Sequence, residues 1–244
     1  MTKPRRAIAM VTALATALCA VSGGPVVGAE PQPDPGEIHG LKLGLKAAEM
    51  SADTFGDLAC GSNGGPPRQT IGGWTEFRKC RPEPNGLHEV YAPFDDQQDY
   101  VARAIDDPMY AQGKVGTRVA GHPVILSVLF DTDGVLRGIR MVSDPRGSPM
   151  ERRMAHMLRL AIINRYEPEG WNCTDFPPAP GETPVGGGVF IKQRCEKQID
   201  DATRAVLITR HLRKPGQSQY DPHSGKETTN QFESNVRFEM VRMK

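Results

Sequence analysis

Hydrophobic and polar positions change rhythm along this chain, and each rhythm predicts an element. Val124-Ile125-Leu126-Ser127-Val128-Leu129-Phe130 is a β-rich run, apolar on both faces. Such a run predicts a central strand covered on at least one side by helix. Asp131-Thr132-Asp133-Gly134 follows with turn chemistry, and Gly134 suits a positive φ. Residues 135–142 return, so the whole reads as a β-hairpin. The rhythm then lengthens. Ser148-Pro149-Met150-Glu151 combines an N-cap serine, a proline at the first helical position and a glutamate that completes a capping box. Met150, Met154, Met157, Leu158, Ala161 and Ile162 fall at spacings of three, four and seven, which predicts one apolar stripe on a helix over 148–166. Arg152, Arg153, His156 and Arg159 take the other side, and the stripe is expected to face the core. The last third alternates with period two: strands are predicted at 188–199, 205–212 and 232–243, with a polar loop over 214–230 between the last two.

The first half is less regular. Short helices are predicted at 46–50 and at 52–58, the second capped by Ser51. Residues 61–67 can only be loop. A strand is predicted at 74–80, a turn through Pro82, Pro84, Asn85 and Gly86, a returning strand at 87–94, and a short polar helix at 96–105.

The N-terminal 29 residues follow another plan. Lys3, Arg5 and Arg6 precede an apolar run from Ala7 to Val21, and Val27-Gly28-Ala29 supplies a small-residue cleavage pattern. That is the layout of a secretory signal peptide, and the run is too short for a bilayer span of about 20 residues. An uncleaved anchor is the alternative. Residues 30–37 are Pro-rich and read as a flexible lead-in, followed either by a single structured unit or by two small lobes over 38–111 and 112–244.

The signal changes the charge and cysteine arithmetic. It holds three basic residues and no acid of a chain whose formal charge is +1, so the remainder is slightly acidic. With no basic stripe, nucleic acid is not an expected partner. It also holds Cys19, one of five cysteines. The four left, Cys60, Cys80, Cys173 and Cys195, form an even set in an exported chain. Of three pairings, Cys60–Cys80 and Cys173–Cys195 are favoured because the partners are near in sequence and bracket turns. A four-cysteine metal site lacks the close Cys pairs that zinc requires, so neither metal nor cofactor is expected.

Candidate chemistry is sparse. Asp131-Thr132-Asp133-Gly134 has the look of a calcium loop, but the twelfth position is Val142 where the EF-hand needs glutamate. Asp95, Asp96, Asp99, Asp106 and Asp107 cluster as on a solvated helix face. The histidines His39, His88, His122, His156, His211 and His223 show no metal spacing, and no nucleophile elbow or phosphate loop is present. Ser62 sits in a Gly-rich loop that a disulfide-tethered turn explains. The polar loop with Tyr220, Asp221, His223 and Lys226 is the candidate binding element, because a long loop carrying an aromatic and a histidine can serve recognition.

One stretch resembles a known family. Ile38-His39-Gly40-Leu41-Lys42-Leu43-Gly44-Leu45-Lys46-Ala47-Ala48-Glu49-Met50, followed by Phe55-Gly56, is similar to the opening of the SmpA/OmlA family, the BamE-like small envelope proteins. The likeness covers residues 38–94, with Trp74 and Phe77 in place of the family's aromatic strand. The chain departs in lacking the family's lipidated cysteine and in its length. The resemblance implies a non-enzymatic helper or binding module at the envelope. Together these readings predict an α+β fold, antiparallel sheet covered by one main amphipathic helix and stapled by two disulfides. The expected function is a periplasmic or secreted module contacting an envelope protein or peptide, with no transmembrane segment after signal cleavage. The alternative is a small secreted hydrolase.

Overall fold

Thirteen strands carry the fold among the described residues, and the long ones lie where the period-two rhythm is strongest. The computed structural model describes residues 36–94, 117–216, 218–220, 227–229 and 232–243; the expected helix at 96–105 lies outside them. The described residues belong to one compact unit, Asp34–Lys244. In chain order the strands are β1 (Glu37–Ile38), β2 (Leu41–Lys42), β3 (Ala59–Cys60), β4 (His88–Tyr91), β5 (Arg118–Val119), β6 (His122–Phe130), β7 (Leu136–Ser143), β8 (Asn172–Asp175), β9 (Ile191–Asp200), β10 (Thr203–Arg213), β11 (Ser218–Tyr220), β12 (Glu227–Thr229) and β13 (Phe232–Arg242). Nine of them build one antiparallel sheet in the order β3-β4-β6-β7-β13-β10-β9-β8, with β5 added on β6. β1 pairs with β2, and β11 with β12.

The protein is therefore mostly β, not α+β. Among the described residues, only the run predicted at 148–166 becomes a helix of any length: α1 (Pro149–Met154), a 3-10 turn (Ala155–Met157) and α2 (Leu158–Arg165). The helices expected at 46–50 and 52–58 shrink to a 3-10 turn at Ala47–Glu49. Runs this short do not recover the cost of helix nucleation. Instead, the Gly44 and Ala47 N–H groups donate to the carbonyls of Leu136 and Gly134, which ties the segment to the hairpin. The strand expected at 74–80 is a 3-10 helix, Trp74–Lys79, that turns Trp74 and Phe77 onto the core.

The sheet has one apolar face. The row Cys195–Leu207–Phe238–Met141–Leu126 runs from β9 to β6, and the parallel row Ala205–Met240–Ile139–Val128 reaches Val90 of β4. Apart from Cys195 these residues are buried hydrophobics of no more than 1 % exposure, and Cys195 is equally covered. Trp74 and Phe77 meet Phe130 edge-on or tilted, and Tyr166 stacks on Phe238 at 5.1 Å. The cover of the sheet is thus shared between the 3-10 helix and α2. Burying Leu158 and Ile162 contributes about 2 kcal/mol each.

The capping box predicted at the helix start is present: Glu151 N–H donates to Ser148 Oγ, and Ser148 N–H to Glu151 Oε2. The apolar stripe is not as expected. The 3-10 turn shifts the helical phase, so Ala155, Leu158, Ile162 and Tyr166 face the core, while Met150 and Met154 are 68 % and 42 % exposed. The hairpin is as predicted. Asp131 closes its turn by accepting from the Asp133 and Val135 N–H groups, and Gly134 adopts φ 76° beneath Phe77. These bonds, with Arg137, hold the Asp131 carboxyl below its usual range against the opposing push of burial. The three C-terminal strands stand close to their expected positions, but the polar loop between them contains the β11–β12 ladder.

Both favoured disulfides are formed, Cys60–Cys80 and Cys173–Cys195. The second joins residues directly opposite each other and clips the wholly exposed strand β8 to β9. Each closes a loop of about 20 residues, and in the chain-entropy account contributes roughly 3 kcal/mol. Bridges of this kind persist in oxidising compartments. Among the described residues, no helix is long and apolar enough to cross a membrane.

Candidate functional site

The second face of the sheet is mixed, with charged and apolar side chains, and its two halves are built differently. Over β4, β6 and β7 it is roofed. The Cys60–Cys80 bridge holds a loop whose Gly61 backs onto the Glu89 side chain and whose Gly64, at φ 87°, lies against Val142. A Cβ at Gly64 would come within 2.5 Å of Val142, so close approach and the left-handed backbone both require glycine there. The Asn63 N–H donates to Glu89 Oε2, and Asn63 accepts from Arg237.

Under this roof Arg140, 3 % exposed, reaches three carboxylates: Glu83 at 2.6 Å, Glu239 at 2.7 Å and Glu89 at 3.1 Å. Burial alone would disfavour the guanidinium, but the carboxylates around it raise its pKa. Burial likewise pushes the Glu83 carboxyl up, and Arg140 outweighs that push. This is a structural knot.

Over β10 and β9 the same face is open, and β13 forms the border, its Arg237 bound to Asn63 of the roof and its Glu239 to Arg140. The phase that buries Ala205, Leu207 and Thr209 sends Arg204, Val206, Ile208 and Arg210 outward. Register then sets their neighbours. Ile208 lies opposite Arg194 on β9 and Arg237 on β13. Val206 lies opposite Glu196 and Glu239. A half-buried apolar stripe is thereby crossed by a row with two arginines and a row with two glutamates. Within the chain, Arg194 pairs with Glu196 at 2.8 Å, Arg237 with Glu239 at 3.0 Å, and Arg204 also with Glu196. Arg204 and Arg194 hold the partly exposed Glu196 carboxyl below its usual range. Two shallow hollows flank Ile208. One, of about 260 Å³, reaches Phe176, Lys192 and Arg210; the other, of about 230 Å³, reaches Val206, Arg237 and Glu239. Neither brings together histidine, serine and carboxylate.

Histidines do meet at the end of the sheet. His156 in the 3-10 turn packs against His211 of β10 at 4.0 Å between ring centroids, and His211 meets Phe232 edge-on. Burial, reinforced by His156, pushes His211 down to about 4. Burial, Arg118 and His156 also lower His122. Ser234 Oγ lies 3.3 Å from His156 Nδ1. That pair does not make an activated nucleophile. The Ser234 hydroxyl donates to the Arg153 carbonyl and accepts from the His156 N–H, and no carboxylate orients His156 among the described residues.

The binding loop expected from sequence is only partly described. Tyr220 ends β11, whereas Asp221, His223 and Lys226 lie outside the described residues, as do the acids from Asp95 to Asp107. Ser62 donates to the Pro66 carbonyl at 2.6 Å, a turn contact. Among the described residues, no group of three or more His, Cys, Asp or Glu side chains is placed to hold a metal ion. The open half-face was missed in the sequence, although its signal was there: Arg204-Val206-Ile208-Arg210 is the outward phase of a predicted strand. What the sequence does not supply is which strands stand beside it. The chain matches no protein-family model, no curated protein and no solved structure.

Proposed function

We propose that this protein is an exported, non-enzymatic module that works by protein contact through the open half of its sheet. The observation that carries the reading is the Val206–Ile208 stripe: apolar side chains left half-exposed between paired charges, on a face whose other half is roofed. A monomer needing only a fold would gain by covering that stripe as it covers Val142. Apolar centres with charged borders are the usual anatomy of a protein contact. The two disulfides support a periplasmic or secreted location. The likeness of residues 38–94 to BamE-like envelope proteins supports a helper role rather than chemistry.

The test is site-specific photo-crosslinking in an exporting cell. A photoreactive residue in place of Ile208 should yield discrete protein adducts, and one in place of exposed Glu169, away from the stripe, should not. Equal labelling from both positions, or none from position 208, would overturn the reading.

A further inference from the structure

We infer that the Cys173–Cys195 bridge is a thiol-exchange site: a dithiol reductant opens it, leaves Cys60–Cys80 closed, and so releases the edge strand β8. The inference concerns the rim of the sheet and holds whether or not the open half-face takes a partner. It comes from how differently the two bridges are set.

Cys60–Cys80 is sealed, with its residues 6 % and 2 % exposed. The backbone around it is tied on both sides. The Cys60 N–H donates to the Gln69 carbonyl, the Cys60 carbonyl accepts from the Arg68 N–H, and the Cys80 carbonyl lies 2.6 Å from His88 Nδ1. Cys173–Cys195 is half open. Cys195 is 1 % exposed, but Cys173 lies on β8, all four residues of which are exposed. Exchange needs an attacking thiolate in line with the S–S bond, so access decides which bridge reacts. Cys173 offers that access, and Cys60 and Cys80 do not.

Little besides the bridge holds β8. It is the last strand of the sheet and pairs on one side only. None of its side chains is buried, and Gln193 Nε2 donates to Asp175 Oδ1 at 2.7 Å in an exposed contact. The ladder ends where the Phe176 N–H donates to the Lys192 carbonyl. So short a pairing with no packed face is marginal in water. The chain on either side is anchored independently. Lys197 Nζ donates to the Glu167 and Glu169 carbonyls before β8, and Thr183 exchanges both backbone hydrogen bonds with Arg213 after it. Residues 172–176 therefore form a strap between two fixed points, and its release disturbs neither.

In the exchange, a reductant thiolate attacks Cys173 Sγ. A mixed disulfide forms there, the Cys173–Cys195 bond breaks, and Cys195 leaves with the bonding electron pair and takes up a proton. The reductant's second thiolate then attacks its own sulfur in the mixed disulfide, and Cys173 leaves and takes up the second proton. The bridge gains two electrons and two protons, and the dithiol loses them as it closes to a disulfide. The released sheet ends at β9. A short clipped edge is thereby exchanged for the ten-residue edge of β9, beside Arg194 and Glu196. A bare edge of this kind is open to pairing with another strand.

The experiment is graded reduction of the folded, oxidised chain with dithiothreitol and no denaturant, followed by acid quench, alkylation and mass mapping. Cys173 and Cys195 should be alkylated at a reductant concentration roughly tenfold below that needed for Cys60 and Cys80. Hydrogen exchange of the product should show lost protection within residues 172–176, while 124–130 and 136–143 keep theirs. A thioredoxin-class protein lacking its second cysteine should be trapped on Cys173. Opening of Cys60–Cys80 first, or of both bridges together, would overturn the inference. So would trapping on Cys195, or an opened bridge whose β8 amides stay protected.

Discussion

The mixed face of the sheet offers its own controlled comparison. On β7, Val142 lies under Gly64 and Arg140 is sealed among three carboxylates; two and three strands away, Ile208 and Arg194 stand at the surface of the same sheet. Residue types are alike in the two halves: a β-branched apolar side chain, arginines and glutamates. The difference is the loop pinned by Cys60–Cys80. Where it covers the face, arginine has become part of the fold. Where it stops, arginine remains available to a partner. Side-chain chemistry alone thus does not distinguish a structural ion pair from a recognition group; coverage does.

The largest way to break this comparison is Arg140→Leu. It leaves Glu83, Glu89 and Glu239 without their shared cation beneath the roof, and removing one partner of a buried ion pair costs about 3–5 kcal/mol. Denaturant unfolding should show that loss. A change below about 1 kcal/mol, the range of exposed pairs, would mean that water reaches the knot and the roof is not closed.

Next is the clasp. Replacing Cys60 and Cys80 together by serine should lower stability by roughly 3 kcal/mol. It should also increase proteolysis at 61–67. Removing Cys173–Cys195 should instead loosen β8 and leave the 61–67 loop protected.

The histidine pair gives a smaller, pH-dependent effect. His211 titrates near 4 in the fold, below the usual 6.5 of an unfolded histidine. Between those values the unfolded chain binds the proton and the folded chain does not. Stability should therefore fall as pH drops from 6.5 towards 4, by at most ~1.4 kcal/mol per pH unit from this residue. His122, lowered in the same direction, adds to the slope. His211→Asn should flatten the profile above about pH 5; an unaltered slope would assign it to other groups.

Much of this was legible in the sequence, in uneven measure. The hairpin around Asp131–Gly134, the Ser148 capping box and both cysteine pairs rest on local rules, and the structure contains each of them. The α+β expectation was overturned where local pattern competed with tertiary ties. Trp74 and Phe77 alternate like a strand, but they serve as anchors of a 3-10 helix on the core. Met150 and Met154 fit the helical stripe, but one 3-10 turn rotates them outward. The open half-face was illegible for a different reason. Val206 and Ile208 acquire their charged borders only when β9 and β13 pair with β10 in one register, and sequence does not carry register between distant strands.

The smallest effect on the fold should accompany the largest effect on function. Ile208→Asp lies outside the core and should lower the unfolding free energy by about 1 kcal/mol, the strand-propensity difference. The deciding measurement is photo-crosslinking in the exporting cell through a photoreactive residue at Val206, beside Ile208 on the stripe, in the wild-type chain and in this variant. The account predicts discrete protein adducts from the wild type and none from the folded variant. Equal adducts from both, or none from the wild type, would contradict it, and the open half of the sheet would then be surface and nothing more.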